Sequence, residues 1–489
     1  MDSSRIPVLV GIAQVDQRSD EPNDYQEPLD MMLKAIRLAA EDSERTEILS
    51  RTDAVYVIKG LWSYEDPAGA IAREIGAEKA ETIGTAYGGN MVQSCVSDAC
   101  LAISRGELSV AILTGAEIGR SLAQARKSGT RLKMREAGGS SDRLMGEMKT
   151  MLHPLEEKHG VVQPVYWYSI FDSAIRHQRG ESIDEHRKRI SELWASFSDV
   201  AAGNPHAWIR EKIDAEEIRT PSSDNRMIGF PYTKLMNANS RVNQGAALIL
   251  CSLHQAEKLG IPPEKYVFPH SGSEAHDPLF LSNRNDFHSS PAIRTAGEKV
   301  LELSGVGVDD LAHVDLYSCF PSAVQVAATE LGLSQQRPLS VTGGLTFGGG
   351  PLNDYVMHSV TRMAEILRDD AGSYGLVTAN GGALTKHALN IYSSRMPEQG
   401  FQYACVQNEV DSFGQREIMD DQEGEVTIEA YTVAYDADGP ARAIAACRLD
   451  DGRRTWATRE DASLASAMTT EEFCGHSAHR SREGLLTPH

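Results

Sequence analysis

The chain has 489 residues, a hydrophobic share of 41% and a formal net charge of −21, which is enough for two or three domains with cores of their own. The charge argues against nucleic acid and anionic membranes as partners, because both bind a basic face. No apolar run is long enough to span a bilayer, and the N-terminus is typical of a first strand, so we expect a cytoplasmic protein without a signal peptide.

The seven cysteines contain no CxxC pair. An odd number without paired spacing predicts reduced thiols and no disulfide framework. The same spacing indicates no zinc site. We therefore expect no metal and no covalently bound cofactor.

The first part of the chain alternates two patterns. Strand-like runs lie at 7–12, 54–58 and 106–117, and helical patterns lie at 28–40, 67–75 and about 91–104. This βαβ rhythm predicts a mainly parallel sheet covered by helices.

The alternation then breaks, and residues 121–235 are interpreted as an insertion before the sheet resumes at 245–250. An aromatic run at 165–171, VYWYSIF, is suited either to lining an apolar acyl tunnel or to forming the insertion's own core. Between residues 120 and 149 there are eight lysines and arginines but only three acidic residues. Arg126, Arg131 and Arg135 are our candidates for binding the phosphates of a nucleotide-like ligand, and a solvated face is the alternative.

A second set of patterns follows, with helices at 291–303, 322–331 and 354–368 and strands at 313–317, 375–378 and 389–392. The glycine cluster in 341–358, VTGGLTFGGGPLNDYVMH, repeats the layout of GTAYGGNMVQSC at 84–95. We infer an internal duplication. Residues 1–120 with 236–270 form one half, and 271–397 form the other.

Glycine-rich backbone at two helix N-termini can direct N–H groups and two positive dipole ends at one carbonyl or anionic oxygen. That arrangement suits thioester or enolate chemistry. The candidate binding residues lie in the two turns and beside a third glycine pair, in NGGALTKH at 380–387: Gly88, Gly89, Asn90, Gly348, Gly349, Gly350, Asn380, Gly381 and Lys386. For the two asparagines, a turn or cap role is the alternative.

Four side chains are candidates for catalysis. Tyr317 and Cys319 follow a predicted strand, where α/β sites commonly lie. Tyr317 could exchange a proton with a substrate oxygen or be a core tyrosine, and Cys319 could equally be a small buried apolar residue. His387 and His358 could supply a base, with a structural role as the alternative for each.

From about residue 401 the pattern changes to alternating strands at 426–434 and 441–449, with Asp-Gly turns. This predicts a separate C-terminal domain, 401–489, built as a small antiparallel sheet or barrel. It has no basic run, which favours a docking or lid domain.

These segments resemble the thiolase superfamily. The resemblance rests on the two glycine turns, on GELSVAILTGAE at 106–117, on ANSRVNQGAALIL at 238–250 and on VDLYSCFPSAVQVAATELGL at 314–333, and it spans about residues 5–395. It implies a five-layer α/β fold of two stacked halves, a loop domain that contacts coenzyme A, and an acyl-CoA ligand. The C-terminal strands resemble the OB-like domains that accompany some thiolase homologues of lipid metabolism.

The standard catalytic set of that family is absent. Its nucleophilic cysteine falls at Gly89 and its Gly-His-Pro histidine at Gly350, and neither residue can do that chemistry. Its other cysteine falls at Thr378 or Ala379. Its asparagine or histidine falls at Tyr317, which is also a tyrosine in the thiolase-like retro-aldolases.

The resemblance therefore implies an enzyme related to acetyl-CoA acetyltransferases or to the retro-aldolases, acting next to a CoA thioester without a cysteine nucleophile. Tyr317 and His387 are the expected acid and base, with the glycine-turn amides as an oxyanion hole. The alternative is a catalytically silent CoA-thioester binder or partner subunit. A homodimer is an assembly that the resemblance allows.

Overall fold

The computed structural model describes residues 2–19 and 24–489. The strands of this part of the chain are β1 (Pro7–Asp16), β2 (Ala54–Val57), β3 (Glu81–Thr85), β4 (Val110–Ile118), β5 (Arg143–Met145), β6 (Met227–Gly229), β7 (Tyr232–Thr233), β8 (Asn243–Ser252), β9 (Phe268–His276), β10 (Leu311–Asp315), β11 (Tyr374–Gly381), β12 (Lys386–Ser393), β13 (Gln402–Cys405), β14 (Gly424–Tyr435), β15 (Pro440–Arg448), β16 (Arg454–Glu460), β17 (Ser477–Arg480) and β18 (Leu486–Pro488).

The α-helices of the same residues are α1 (Pro28–Asp42), α2 (Pro67–Glu74), α3 (Met91–Arg105), α4 (Gly119–Ser128), α5 (Pro154–Lys158), α6 (Pro164–Arg179), α7 (Ile183–Gly203), α8 (Ala215–Arg219), α9 (Leu253–Leu259), α10 (Pro291–Ser304), α11 (Pro321–Glu330), α12 (Gly344–Phe347), α13 (Tyr355–Asp369), α14 (Gln407–Val410) and α15 (Ala462–Ala467). Their ends carry the expected signals. For example, α3 ends at Gly106, whose φ of 79° is left-handed, and α7 begins with a capping box between Ser182 and Glu185. No helix among the described residues is both long and apolar enough to cross a bilayer.

The first sheet has the order β1-β8-β4-β2-β3-β5. Strands β4, β2, β3 and β5 are parallel, as the βαβ rhythm predicts, but β8 runs antiparallel to both of its neighbours. The prediction of a mainly parallel sheet is therefore confirmed, with β8 as the one antiparallel strand of this sheet among the described residues. The reason is that β8 returns from the long insertion and enters the sheet from the opposite end.

The second sheet has the order β10-β11-β12-β9-β13. Helices α3 and α13 contact both sheets, α1 covers the outer face of the first, and α10 covers the outer face of the second. Helix, sheet, helices, sheet and helix thus form five layers around a shared core. The predicted thiolase-like architecture is confirmed.

Several strands had no clear signal in the sequence, and β3 and β9 are two that lie inside the main sheets. Strand β3 is short, and β9 carries the buried serines Ser271 and Ser273 where an apolar pattern would be expected. The predicted end of the first half, residue 270, falls inside β9.

The insertion packs against the second glycine cluster. A Cβ on Gly343 would lie 2.4 Å from Cβ of Ala201 in α7, and one on Gly344 would lie 2.7 Å from the ring of Phe197. Both glycines also have left-handed φ angles, 92° and 73°. Only glycine combines this conformation with so close a contact.

The C-terminal strands form a third sheet, with the order β16-β15-β14-β17-β18, and β6 and β7 of the insertion join it at β14. The N–H of Thr458 in β16 donates to the carbonyl of Gly484 (2.9 Å), and the bridge from Thr458 to Leu485 brings the two ends of the sheet together as a small barrel. After the predicted boundary of 401, strand β13 still pairs with β9 in the second sheet. The strands of the third sheet begin at Gly424.

Candidate functional site

The first glycine turn meets Tyr317 and the end of β11. A Cβ on Gly89 would lie 2.5 Å from the carbonyl oxygen of Asn380 and 2.7 Å from the hydroxyl oxygen of Tyr317. A Cβ on Gly381 would lie 2.6 Å from Oδ1 of Asn90 and 3.2 Å from Cα of Gly88. No side chain fits at residue 89 without displacing these atoms, so the Tyr317 hydroxyl occupies the place that a nucleophile on this residue would need.

Tyr317 is held by its backbone and its ring. Its N–H donates to Oγ1 of Thr378 (2.9 Å), and its ring packs edge-to-face on Tyr355 with centroids 5.5 Å apart. Among residues 2–19 and 24–489, its hydroxyl has no hydrogen-bond partner. Burial, together with Cys319 and Tyr355, raises the pKa of Tyr317 well above its ordinary value. The phenol therefore stays protonated at neutral pH and can act as a donor.

Tyr317 and His387 line the same small cavity. Its volume of about 10 Å³ is the space that one water molecule needs. His387 lies on β12 opposite Asn380 of β11, and its Nε2 is 3.1 Å from the carbonyl oxygen of Leu384. The structure therefore brings together the two residues that we expected to serve as acid and base.

Tyr168 of the insertion bonds to two residues that line this cavity. Its hydroxyl donates to the carbonyl of Gly382 (3.0 Å) and accepts from Nδ2 of Asn380 (2.8 Å) and the N–H of Leu384 (3.1 Å). Its ring stacks on Phe320 at 4.6 Å. The aromatic run at 165–171 pointed to this segment, but nothing in the sequence singled out Tyr168 as the residue that fixes Asn380 and Leu384.

Cys319 is buried, and burial raises the pKa of its thiol to about 12. A thiol with so high a pKa is no nucleophile at neutral pH. The observed environment is that of a small apolar side chain, one of the two roles that we considered.

His358 lies apart from the Tyr317 cavity. Its Nδ1 is 2.8 Å from Oε1 of Gln14, its Nε2 is 3.6 Å from Oδ2 of Asp354, and burial lowers its pKa to about 4. The Asp354 carboxyl, also buried, has its pKa raised well above the ordinary value. His358 is therefore neutral at pH 7, and it matches the structural alternative better than the catalytic one.

The second glycine turn has other neighbours. The N–H of Gly350 donates to the carbonyl of Asn239 (2.9 Å), the N–H of Gly348 donates to Gly344 (2.7 Å), and a Cβ on Gly349 would meet the side chain of Gln244 at 2.2 Å. These contacts use two of the amides that we expected to face a substrate oxygen.

A depression of about 170 Å³ lies beside the first glycine turn and is lined in part by Asn90, Met91, Met151 and Lys386. Nζ of Lys386 donates to the carbonyl of Tyr87 (3.0 Å), and burial and nearby Lys149 lower its pKa. The side chain of Asn90 forms no capping hydrogen bond to the backbone of α3, and its Nδ2 donates to Sδ of Met91 (3.7 Å), so the structure does not support the capping role that we considered for it.

The three candidate arginines differ. Arg126, in the last turn of α4, and Arg131 are exposed. Arg135 forms ion pairs with Glu27 and Asp30 and so attaches the insertion to α1. The structure therefore leaves Arg126 and Arg131 as the better candidates for a phosphate. Over residues 2–19 and 24–489, no cluster of His, Cys, Asp and Glu has the arrangement of a metal site.

Comparisons with known proteins agree with this architecture. Residues 405–484 match the family model described as the thiolase-like protein type 1 additional C-terminal domain. The chain is similar to the crystal structure of a monomeric SCP2-thiolase like protein type 1 from Mycobacterium smegmatis, with 30% identity, coverage of 100% of both chains and a TM-score of 0.85.

Two further solved structures share the fold. An Ltp2-ChsH2(DUF35) aldolase is 18% identical over 81% of this chain and 100% of that chain, with a TM-score of 0.62. Acetyl-CoA acetyltransferase from Syntrophomonas wolfei is 15% identical over 80% of this chain and 100% of that chain, with a TM-score of 0.57.

Proposed function

Because this chain belongs to the SCP2-thiolase-like type 1 family of the thiolase superfamily, we propose that it binds an acyl-CoA and acts on the carbon–carbon bond next to the thioester without a covalent intermediate. One observation carries the proposal. The Tyr317 hydroxyl lies 2.7 Å from where a Cβ on Gly89 would be, so a proton donor stands at the position of the missing nucleophile.

A retro-aldol step fits these residues. A base takes the proton of the β-hydroxyl, the Cα–Cβ bond breaks to give a carbonyl compound and an enolate of the acyl-CoA, and the enolate takes a proton at Cα. His387 is the proposed base and Tyr317 the proposed acid. No thiolate is required at any point.

The second candidate function is a catalytically silent CoA-thioester binder. The size of the Tyr317–His387 cavity, about 10 Å³, favours this alternative. CoA binding alone does not separate the two functions, because both include it. Turnover of β-hydroxyacyl-CoA does separate them.

The Tyr317→Phe substitution is expected to lower turnover of a β-hydroxyacyl-CoA by about 100-fold or more, the usual scale for lost acid–base catalysis. Release of the aldehyde or ketone measures the rate. Cys319→Ser is the matched control and should have a mild effect, because that thiol is buried and protonated. Equal rates for wild type and Tyr317→Phe would remove Tyr317 from the reaction, and a wild type that binds but never turns over would leave the silent binder.

The double substitution Arg126→Glu/Arg131→Glu is expected to weaken CoA binding, and wild-type binding should weaken as salt is added. The reason is that both side chains are exposed and carry no acidic partner in the described ion pairs. Isothermal titration with CoA measures both effects. Lys258→Glu on α9, outside the insertion, is a charge-reversal control that should bind as the wild type does, and equal affinities for all three proteins would show that the basic run is only a solvated face.

We further propose that the protein acts as a monomer rather than the homodimer that the resemblance allows. Strand β5 pairs with β3 and becomes the edge of the first sheet, so β3 is not free to pair with a second copy and only a three-residue edge strand remains on that side. The Mycobacterium smegmatis relative is also described as monomeric. Sedimentation velocity at micromolar concentration should give a single species of 53.4 kDa, and a species of twice that mass would contradict the proposal.

A further inference from the structure

His387 has two acceptors on one side of its ring. Its Nε2 is 3.1 Å from the carbonyl oxygen of Leu384 and 3.7 Å from Oδ2 of Asp277. A ring nitrogen that faces acceptors carries the proton, and the other nitrogen then keeps the lone pair. In the described part of the chain, Nδ1 of His387 has no hydrogen-bond partner.

Asp277 is an ionised carboxylate at 2% exposure. Its oxygens accept from Nη2 of Arg284 (3.0 Å), from the hydroxyl of Ser290 and from the N–H of Ala292 (3.3 Å). Burial alone would raise the pKa of Asp277, but Arg284 and His387 outweigh it and bring the pKa to about 2. The carboxylate is therefore charged and fixed in position at neutral pH.

The Leu384 carbonyl is fixed as well. Leu384 has a left-handed φ of 55°, which is rare for a residue with a branched side chain. Its carbonyl also accepts from Nη1 of Arg284 (2.8 Å), and its N–H donates to the hydroxyl of Tyr168. Arg284 thus connects the two acceptors that His387 faces.

We propose that Asp277 is the positioning residue of His387. With the Leu384 carbonyl it keeps the proton on Nε2, so that Nδ1 is the basic nitrogen available to the cavity shared with Tyr317. A single water in that cavity would be close enough to both side chains to pass a proton between them. The role of Nδ1 as a base rests on the proposed function, whereas the position of the proton on Nε2 does not.

Nitrogen NMR of the ligand-free, full-length protein labelled with ¹⁵N-histidine tests the proposal, with His387→Gln used to identify the signals. The neutral ring of wild-type His387 is expected to be the Nε2–H form. In Asp277→Asn, the two ring signals should move toward each other, as in a mixture of both forms. An Nδ1–H ring in the wild type, or unchanged signals in Asp277→Asn, would overturn the proposal.

Asp286→Asn is the matched control. It removes a carboxylate from the same segment, but that carboxylate accepts from Ser289 and not from His387. Its His387 signals should equal those of the wild type. If Asp277→Asn fails to fold, Ser290→Ala replaces it. That variant frees Oδ2 of Asp277 from a competing donor and should shift the Nε2 proton signal downfield, and an unchanged signal would overturn the proposal.

Turnover separates this inference from the proposed function. An Nε2–H ring in a protein that never cleaves β-hydroxyacyl-CoA would refute the enzyme and keep the positioning role. Where there is turnover, Asp277→Asn is expected to lower kcat about 10-fold or more with little change in KM, since Asp277 does not touch the substrate.

Discussion

The Gly89→Cys substitution is expected to restore no thiolase activity and to lower the free energy of unfolding by about 1–3 kcal/mol. The new Cβ would lie 2.5 Å from the Asn380 carbonyl and 2.7 Å from the Tyr317 hydroxyl, so either the turn or Tyr317 must move. Thiolysis of acetoacetyl-CoA measures the activity, and urea denaturation measures the stability. These two results together would show that neighbouring atoms fill the space that a side chain at residue 89 would need.

Two variants complete this experiment. Gly203→Cys is the control, because a Cβ there would meet nothing within 4 Å. Gly89→Cys/Tyr317→Phe should recover only part of the lost stability, since the backbone oxygen of Asn380 remains in the way. Turnover of about 1 to 1000 per second in Gly89→Cys, or an acyl adduct on the introduced thiol, would contradict the interpretation.

The Arg454→Met substitution is expected to lower the free energy of unfolding by about 3–5 kcal/mol, the usual cost of removing one partner of a buried ion pair. Arg454 is fully buried in the C-terminal barrel and pairs with Glu429 at 2.8 Å. Its Nη1 also donates to the carbonyls of Ser282 and Arg284 in the main body. Its loss leaves Glu429 without its partner and three or more acceptors unpaired at the domain junction.

Thermal and urea unfolding of the full-length protein measure the effect. Arg453→Met is the control from the neighbouring position, because Arg453 is a surface residue that pairs with Asp451. Its unfolding midpoint should stay close to that of the wild type. Equal midpoints for the two variants would show that the barrel does not depend on this contact for its attachment.

The contacts of Arg454 are linked to the surroundings of His387, because the segment 282–284 takes part in both. Ser282 and Arg284 accept from Arg454 through their carbonyls, and the side chain of Arg284 reaches Asp277 and the Leu384 carbonyl. The C-terminal barrel is thus connected to the surroundings of His387 by one continuous set of hydrogen bonds. We expected this domain to dock or to act as a lid. Its contacts place it where it can stabilise the residues that surround His387.

Local patterns were sufficient to predict six of the longer helices, the duplication, the two glycine turns and the change at the C-terminal domain. Periodicity, glycine clusters and turn chemistry act over a few residues, so they can be read along the chain. The glycines at 89 and 350, where the resemblance places the family's cysteine and histidine, were equally visible, because they depend only on residue identity.

The state of the site depends on contacts between residues far apart in the chain, and only the tertiary structure shows these. Gly89 has no side chain, and only the structure shows that the hydroxyl of Tyr317, more than 200 positions later, lies beside it. Arg135 is one of several basic residues in the sequence, and only the structure shows its pairing with Glu27 and Asp30. Asp277 carries no sequence signal, and Tyr168 has only that of its aromatic run, since what matters in each is which distant atom the side chain reaches. Residue type and spacing determine the kind of element that forms, whereas packing decides which charges are neutralised, which hydroxyls remain unpaired and where space is left for a ligand.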